Sequence, residues 1–198
     1  MKLYFVGTSP FVRKVMACAI ARGVDQQITA LPTRLQDSPA DLLADNPLGK
    51  VPCLITDDGL ALFDSPVICE YLDTRGDALP LFPEHGAARW RALKQQALGD
   101  GILDAAVARR GETTRPKEAA RDALMARYRG VVERSLAALE ADPPHKPVDI
   151  GSITVACALG YLDFRFAAEP WRPGHPKLAA WFEAFSQEPA IARTTPRE

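Results

Sequence analysis

Two serines, Ser9 and Ser65, each stand directly before a proline, where an apolar segment ends and a helical pattern begins. Serine is favoured as the N-cap of a helix, and proline is favoured at the first helical position. We therefore predict that Ser9 and Ser65 each cap a helix. A hydroxyl at the start of the first of these helices lies beside free backbone N–H groups and the positive end of the helix dipole. That arrangement favours a bound anion at Ser9.

The first third of the chain alternates between strand-like and helix-like segments that position these serines. Predicted strands cover residues 2–6, 27–31, 51–55 and 60–63, and predicted helices begin at Ser9, near Ala40 and at Ser65. The helix after Ser9 carries apolar residues at the spacing of one helix face, and Gly23 stands where a C-cap glycine is expected. Pro52 cannot donate to a strand ladder, so its position near the start of a strand indicates a bend or a cis peptide bond.

The rest of the chain is predicted to be helical. Residues 78–86 contain two prolines and a glycine and are interpreted as a linker. The expected domains are therefore 1–77 and 87–198, with helices over 87–110, 117–141, 150–169 and 176–187. Asp149 is the predicted N-cap of the third of these helices, where Val148 and Ile153 form a hydrophobic staple. Residues 150–162 are almost all apolar or small, which predicts a helix buried on every side.

Composition excludes several classes of protein. The chain has 198 residues, of which 47% are hydrophobic and 25% charged, and its net charge is −1. These values are typical of a globular protein and give no reason to expect nucleic acid or an anionic membrane as a partner. No segment is long and apolar enough to cross a bilayer. The 4 cysteines are widely spaced, which favours buried thiols in a reducing, cytoplasmic compartment.

Common catalytic motifs are missing from the sequence. The 3 histidines stand beside glycine or proline in turns, at none of the spacings that zinc sites use, so no metal is expected. There is no G-x-S-x-G element, Walker A motif or dinucleotide-binding glycine pattern. The residues alone therefore leave open a plain structural role for Ser9 and Ser65, in which each cap contributes about 1 kcal/mol of stability.

Three segments together resemble the glutathione S-transferase family. They are Ser9-Pro10-Phe11-Val12-Arg13-Lys14-Val15, Asn46-Pro47-Leu48-Gly49-Lys50-Val51-Pro52 and Phe63-Asp64-Ser65-Pro66-Val67-Ile68, and the helix start at Asp149 adds to them. The resemblance extends over essentially the whole chain, and the second and third segments are the most specific. It implies an α/β thioredoxin-like N-terminal domain of order βαβ-α-ββα, followed by an all-α helical bundle domain. The first segment is similar to the serine-type members, in which serine replaces the tyrosine of others.

The resemblance also implies a glutathione site. Its catalytic residue would be Ser9, and its glutathione-binding residues would be Phe11, Lys50, Val51, Pro52, Asp64 and Ser65. Ser9 would donate its hydroxyl hydrogen to the glutathione sulfur, and the backbone of Val51 would pair with the cysteinyl unit. Ser65 would hold the γ-glutamyl carboxylate, with Asp64 near the ammonium group. For Lys50, a contact with a glutathione carboxylate and a solvated side chain are equally consistent with the sequence.

These expectations lead to one main hypothesis and two others. The main hypothesis is a glutathione transferase that uses glutathione as co-substrate, without a metal, to attack a small and hydrophobic electrophile. The family also implies a homodimer. The alternatives are a glutathione-dependent isomerase, lyase or peroxidase, and a non-enzymatic interaction protein of the same fold. Thiol-disulfide exchange fits less well, because Ser9 stands where a reactive cysteine would be expected.

Overall fold

Four short strands form the sheet of the N-terminal part of the chain. In the computed structural model, which describes residues 1–196, they are β1 (Lys2–Phe5), β2 (Thr29–Pro32), β3 (Cys53–Ile55) and β4 (Ala61–Leu62). Their order in the sheet is β2-β1-β3-β4. β1 pairs in parallel with β2 and antiparallel with β3, which in turn pairs antiparallel with β4. The sheet is therefore mixed, as the predicted βαβ and ββ units require.

Three helices accompany these strands. They are α1 (Pro10–Ala21), α2 (Ala40–Asp45) and α3 (Ser65–Asp73). α1 ends at Arg22, and Gly23 follows with φ of +74°, a backbone conformation that glycine adopts without strain. α1 packs against α3, and Val15 and Ile68 on these two helices are fully buried. Burial of side chains of this size stabilises the fold by about 1.5–3 kcal/mol each.

The C-terminal segment packs against α1. A short helix, α8 (Pro189–Ala192), contacts α1, and the Arg13 guanidinium donates to the Ile191 carbonyl and the Thr194 hydroxyl, both at 3.4 Å. Contacts divide the described residues into a first unit, 1–84 with 189–196, and a second unit, 85–188. The domain boundaries expected from the sequence, 1–77 and 87–198, stay a prediction. The observed division differs at the C-terminal end because α8 joins the first unit, and residues 197–198 lie outside the described residues.

The second unit is built from helices. They are α4 (Gly86–Glu112), α5 (Ala119–Ala141), α6 (Ile150–Arg165) and α7 (Pro176–Phe185). Every residue of α6 from Ile150 to Leu162 is buried, which confirms the prediction of a helix covered on all sides. α6 packs most closely against α4. Gly151 permits this approach, because a Cβ atom there would lie 2.6 Å from the Ala92 carbonyl oxygen.

The start of α6 is a capping box. Oδ1 of Asp149 accepts a hydrogen bond from the Ser152 N–H at 2.8 Å, and Oγ of Ser152 accepts one from the Asp149 N–H at 2.9 Å. This confirms the predicted N-cap, and two of the free N–H groups at the helix start are satisfied. Burial raises the pKa of Asp149, although the hydrogen bonds from Ser152 and Gly151 act in the opposite direction.

Candidate functional site

The sheet brings three loops to one of its edges. Tyr4 pairs with Cys53 in the antiparallel β1–β3 ladder, so the end of β1 lies beside the start of β3. Leu62 pairs with Leu54 in the antiparallel β3–β4 ladder, so the end of β4 also lies at this edge. The predicted site residues stand in the segments that continue from these strand ends. Ser9 follows β1, Val51 and Pro52 precede β3, and Ser65 follows β4.

Ser9 is the N-cap of α1, as the sequence predicted. It has an extended backbone, with φ of −77° and ψ of 120°, and its Oγ accepts a hydrogen bond from the Val12 N–H at 3.3 Å. Pro10 occupies the first helical position, where no N–H is needed. Since Oγ acts only as an acceptor in this bond, the hydroxyl hydrogen can be donated to another group. The first turn of α1 contains no acidic residue, so the positive end of the helix dipole is not offset there.

A buried asparagine shapes the loop before Val51. Nδ2 of Asn46 donates to the Lys50 carbonyl at 2.8 Å, and its Oδ1 accepts from the Leu48 N–H at 3.0 Å. Gly49 within this loop has φ of +61°, in the left-handed region. Asn46 is only 1% exposed, and both hydrogen bonds are partly buried. The loop that presents Val51 is therefore fixed by one side chain, a role that the sequence analysis missed.

Val51 and Pro52 are buried and joined by a cis peptide bond. The predicted strand over 51–55 is shorter in the structure, where β3 begins at Cys53. The reason is that the register of β3 with β1 ends at the pairing of Cys53 with Tyr4. The backbone N–H and carbonyl of Val51 consequently stand outside the sheet ladder. An extended peptide can use such backbone groups for strand-like pairing.

The prediction that Ser65 is the N-cap of α3 is wrong by one residue. Asp64 is the N-cap, with an extended backbone and a carbonyl that accepts from the Ile68 N–H at 3.0 Å, so Ser65 is the first helical residue. Ser65 is 2% exposed, whereas the side chain of Asp64 is exposed and makes no capping hydrogen bond. The peptide bond between Phe63 and Asp64 is also cis. The Ser65 hydroxyl and N–H thus both lie at the start of a helix.

The two remaining predicted residues flank these loops. Phe11 is the second residue of α1 and is half-buried. The side chain of Lys50 is exposed, and its backbone carbonyl is held by Asn46. The exposed Lys50 ammonium is compatible with both alternatives predicted from the sequence, a contact with a ligand carboxylate and a solvated side chain.

Two other side chains near this edge are held in their neutral forms. Burial and the carboxylate of Asp45 raise the pKa of the Cys53 thiol to about 11. The Tyr4 hydroxyl donates to Oδ2 of Asp45 at 2.7 Å, and its burial together with this bond raises the pKa of Tyr4 well above its usual value. Cys53 is therefore a poor nucleophile at neutral pH, and the Tyr4 hydroxyl is already engaged.

Among residues 1–196, no group of three or more His, Cys, Asp or Glu side chains is arranged to hold a metal ion. None of the helices in the same range is long and apolar enough to cross a membrane. The groups described at the sheet edge are the hydroxyls of Ser9 and Ser65, backbone groups, two helix N-termini and the exposed charges of Lys50 and Asp64. Such groups suit a small peptide-like ligand that carries negative charge.

Comparison with known families supports this description. Residues 8–75 match the model of the glutathione S-transferase N-terminal domain, and residues 122–184 match that of the C-terminal domain. The fold and the matched domains define a protein with a thioredoxin-like domain followed by a helical domain. The chain belongs to the glutathione S-transferase family.

Individual relatives cover nearly the whole chain. An uncharacterised GST-like protein of Escherichia coli K12, YibF, is 37% identical over 99% of this chain and 98% of its own length. A crystal structure of a glutathione transferase family member from Pseudomonas fluorescens Pf-5, with bound glutathione, is 42% identical. It superimposes with a TM-score of 0.93 over 100% of this chain and 99% of its own. A glutathione S-transferase from Methylobacillus flagellatus KT, also with glutathione bound, is 33% identical, with a TM-score of 0.90 and 99% of both chains covered.

Proposed function

We propose that this protein is a glutathione transferase that activates the glutathione thiol at Ser9 for attack on a small, hydrophobic electrophile. The observation that carries the proposal is the arrangement at Ser9, where Oγ accepts from the Val12 N–H and leaves the hydroxyl hydrogen for a second partner. The glutathione bound in the relatives from Pseudomonas fluorescens and Methylobacillus flagellatus supports the choice of ligand.

The remaining roles follow the shape of glutathione. Val51, whose backbone stands outside the ladder, would pair with the cysteinyl unit, and Pro52 would hold that backbone in place. The Ser65 hydroxyl and N–H, at the start of α3, would bind the γ-glutamyl carboxylate. Asp64, exposed beside it, would accept from the γ-glutamyl ammonium. Phe11 and Lys50 would border the tripeptide.

The energetics are sufficient for thiolate formation. A thiol with a pKa of about 8.5 is only a few per cent ionised at neutral pH, and lowering that pKa by about 2 units needs roughly 2.7 kcal/mol. A charge-assisted hydrogen bond from Ser9 would supply about 1.5–3 kcal/mol, and the N-terminus of α1 about 0.3–1 kcal/mol more. No general base is needed. Serine itself is too weakly acidic to be the nucleophile without a neighbouring base.

The proposal is tested by steady-state kinetics with glutathione and a panel of small aromatic and alkyl electrophiles. The wild-type protein should conjugate at least one of them. Ser9→Ala should retain glutathione binding but lose about 10–100-fold in turnover, the loss that corresponds to a hydrogen bond worth about 1.5–3 kcal/mol. Full turnover in Ser9→Ala would contradict the role of Ser9. A protein that fails to bind immobilised glutathione would favour the non-enzymatic alternative.

We also propose that the protein is a homodimer, as the family implies, and that it is cytoplasmic, since its four cysteines are buried free thiols. The residue that supports a subunit interface is Trp90 on α4, whose side chain is 68% exposed. Tryptophan is enriched at protein–protein interfaces relative to the rest of the surface.

A further inference from the structure

The second unit contains a cavity of about 320 Å³ that glutathione chemistry leaves unexplained. It is bordered by α4, α5, α6 and the segment after α6, and all its lining residues belong to the second unit. Much of its wall is apolar, formed by Val132, Leu136, Leu162 and Trp171. The charged part of the wall contains two guanidinium groups, those of Arg109 and Arg129. A cavity of this size with mainly apolar walls and a few polar groups has the general features of a small-molecule site.

Arg109 is a fixed, buried cation in this cavity. It is 6% exposed, and its guanidinium lies over the Phe166 ring at 4.6 Å from the ring centroid. Its Nη2 donates to Oε1 of Glu169. Its Nε is buried and has no hydrogen-bond partner among residues 1–196. Because a buried donor without an acceptor is costly, Arg109 retains capacity for a further oxygen atom.

Glu169, by contrast, has a side chain that can turn away from Arg109 into solvent. It lies in the turn that follows α6, where its N–H donates to the Phe166 carbonyl at 2.8 Å. Its side chain is 45% exposed, and its second carboxylate oxygen, Oε2, is 3.4 Å from Nε of Arg129. Glu169 can reach water because its side chain is half-exposed, whereas the Arg109 charge would remain buried. Rotation of Glu169 alone would leave that charge unpaired, which is costly, so the rotation requires another carboxylate to take its place.

We propose that this cavity binds an amphipathic monocarboxylate, an acid with one apolar chain or ring, whose carboxylate replaces that of Glu169 on Arg109. The exchange keeps the buried guanidinium paired, so it avoids the penalty of an unpaired buried charge. The planar fork of arginine fits a carboxylate with two parallel hydrogen bonds, which would use the donor capacity that Nε retains. The apolar part of the acid would lie against Leu136, Leu162 and Trp171.

The charge balance of the cavity is compatible with such an acid. Besides the two arginines, Glu133, Glu169 and His175 are the titratable groups of its wall. Nδ1 of His175 lies 2.7 Å from the Trp171 carbonyl and is thus engaged with the backbone. When Glu169 turns into solvent, the cavity loses one negative charge, and the carboxylate of the ligand restores it.

The test is isothermal titration calorimetry of decanoate binding in the presence of saturating glutathione. Decanol, which has the same chain length but no charge, is titrated for comparison. Glu169→Gln removes the internal competitor and should strengthen decanoate binding about five-fold, with decanol binding unchanged. Arg129→Gln should weaken decanoate binding about three-fold or more. Glu133→Gln is the matched control, because it removes the same charge from the same wall and should shift decanoate affinity less than about two-fold.

The variants avoid replacement of the buried Arg109, because that change would also remove its packing over the Phe166 ring. Tighter decanoate binding in Glu169→Gln but not in Glu133→Gln supports the proposal. Equal affinities of decanoate and decanol, equal decanoate affinity in the wild type and Glu169→Gln, or no decanoate binding to any variant would each overturn it.

Discussion

Replacement of Asn46 should separate loop geometry from overall stability. Its two side-chain hydrogen bonds, of 2.8 and 3.0 Å, are partly buried and link the Leu48 N–H to the Lys50 carbonyl. Each contributes about 1 kcal/mol net, and each backbone group left unpaired costs about 1–3 kcal/mol if water cannot reach it. We therefore expect Asn46→Ala to lower the free energy of unfolding by about 2–4 kcal/mol.

The same change should weaken glutathione binding, because Val51 follows directly on the loop that Asn46 fixes. In Asn46→Ala the loop before Val51 would have to become ordered when glutathione binds. If this ordering costs about 1.4 kcal/mol, the Kd for glutathione rises ten-fold. Asn46→Asp is the informative intermediate. Its carboxylate can still accept from the Leu48 N–H but cannot donate to the Lys50 carbonyl.

The assay pairs urea unfolding with calorimetric titration of glutathione on samples shown to be folded by circular dichroism. Asp149→Ala is the control, since it removes an N-cap worth about 0.5–2 kcal/mol from the second unit. It should lower stability and leave the glutathione Kd unchanged. A folded Asn46→Ala protein with wild-type affinity would refute the view that Asn46 positions Val51.

Three further predictions concern pH, thiol reactivity and assembly. Burial raises the pKa of Asp149 in the folded protein above its value in the unfolded chain, so protonation of Asp149 favours the folded state. Its contribution to the free energy of unfolding is complete below the unfolded pKa and is lost as pH rises through the folded pKa. Asp149→Asn, which keeps the cap, should remove this dependence, and identical urea stability profiles against pH in both proteins would count against it. The four cysteines are all buried, and the pKa of Cys53 is about 11, so the native protein should not react with Ellman's reagent until it is unfolded; immediate reaction of a native thiol would show this to be wrong. Trp90→Glu should convert a dimer into a monomer in light scattering, whereas an unchanged mass would place the interface elsewhere.

The start of each helix with a strong local signal could be predicted from the sequence. Two such signals are Ser9 followed by Pro10, and Asp149 followed by Ser152. Each is contained within four consecutive residues at the start of its helix. The error at Ser65 has a local cause too. Asp and Ser are both good N-caps, and the choice between them depends on where the extended backbone after β4 ends.

Features that depend on distant contacts could not be predicted in the same way. The helix α8 has four residues, too few for an apolar period, and its position follows from its packing against α1 and Arg13. The role of Asn46 had a partial signal, because Asn before Pro and Gly is typical of a turn in which the side chain bonds to the backbone two residues on. Its second bond, to the Lys50 carbonyl, depends on the shape of the whole loop.

The central claim, that the Ser9 hydroxyl stabilises the glutathione thiolate, is tested most directly by the pKa of the bound thiol. Thiolate absorbance, titrated against pH in the binary complex, gives this value for the wild type, Ser9→Ala and Ser9→Thr. We predict a pKa about 2 units below the free value of about 8.5 in the wild type, and a value at least about 1 unit higher in Ser9→Ala, since the hydrogen bond lost is worth about 1.5–3 kcal/mol. Ser9→Thr retains a capping hydroxyl and should remain near the wild type. The same thiol pKa in the wild type and Ser9→Ala would contradict the account.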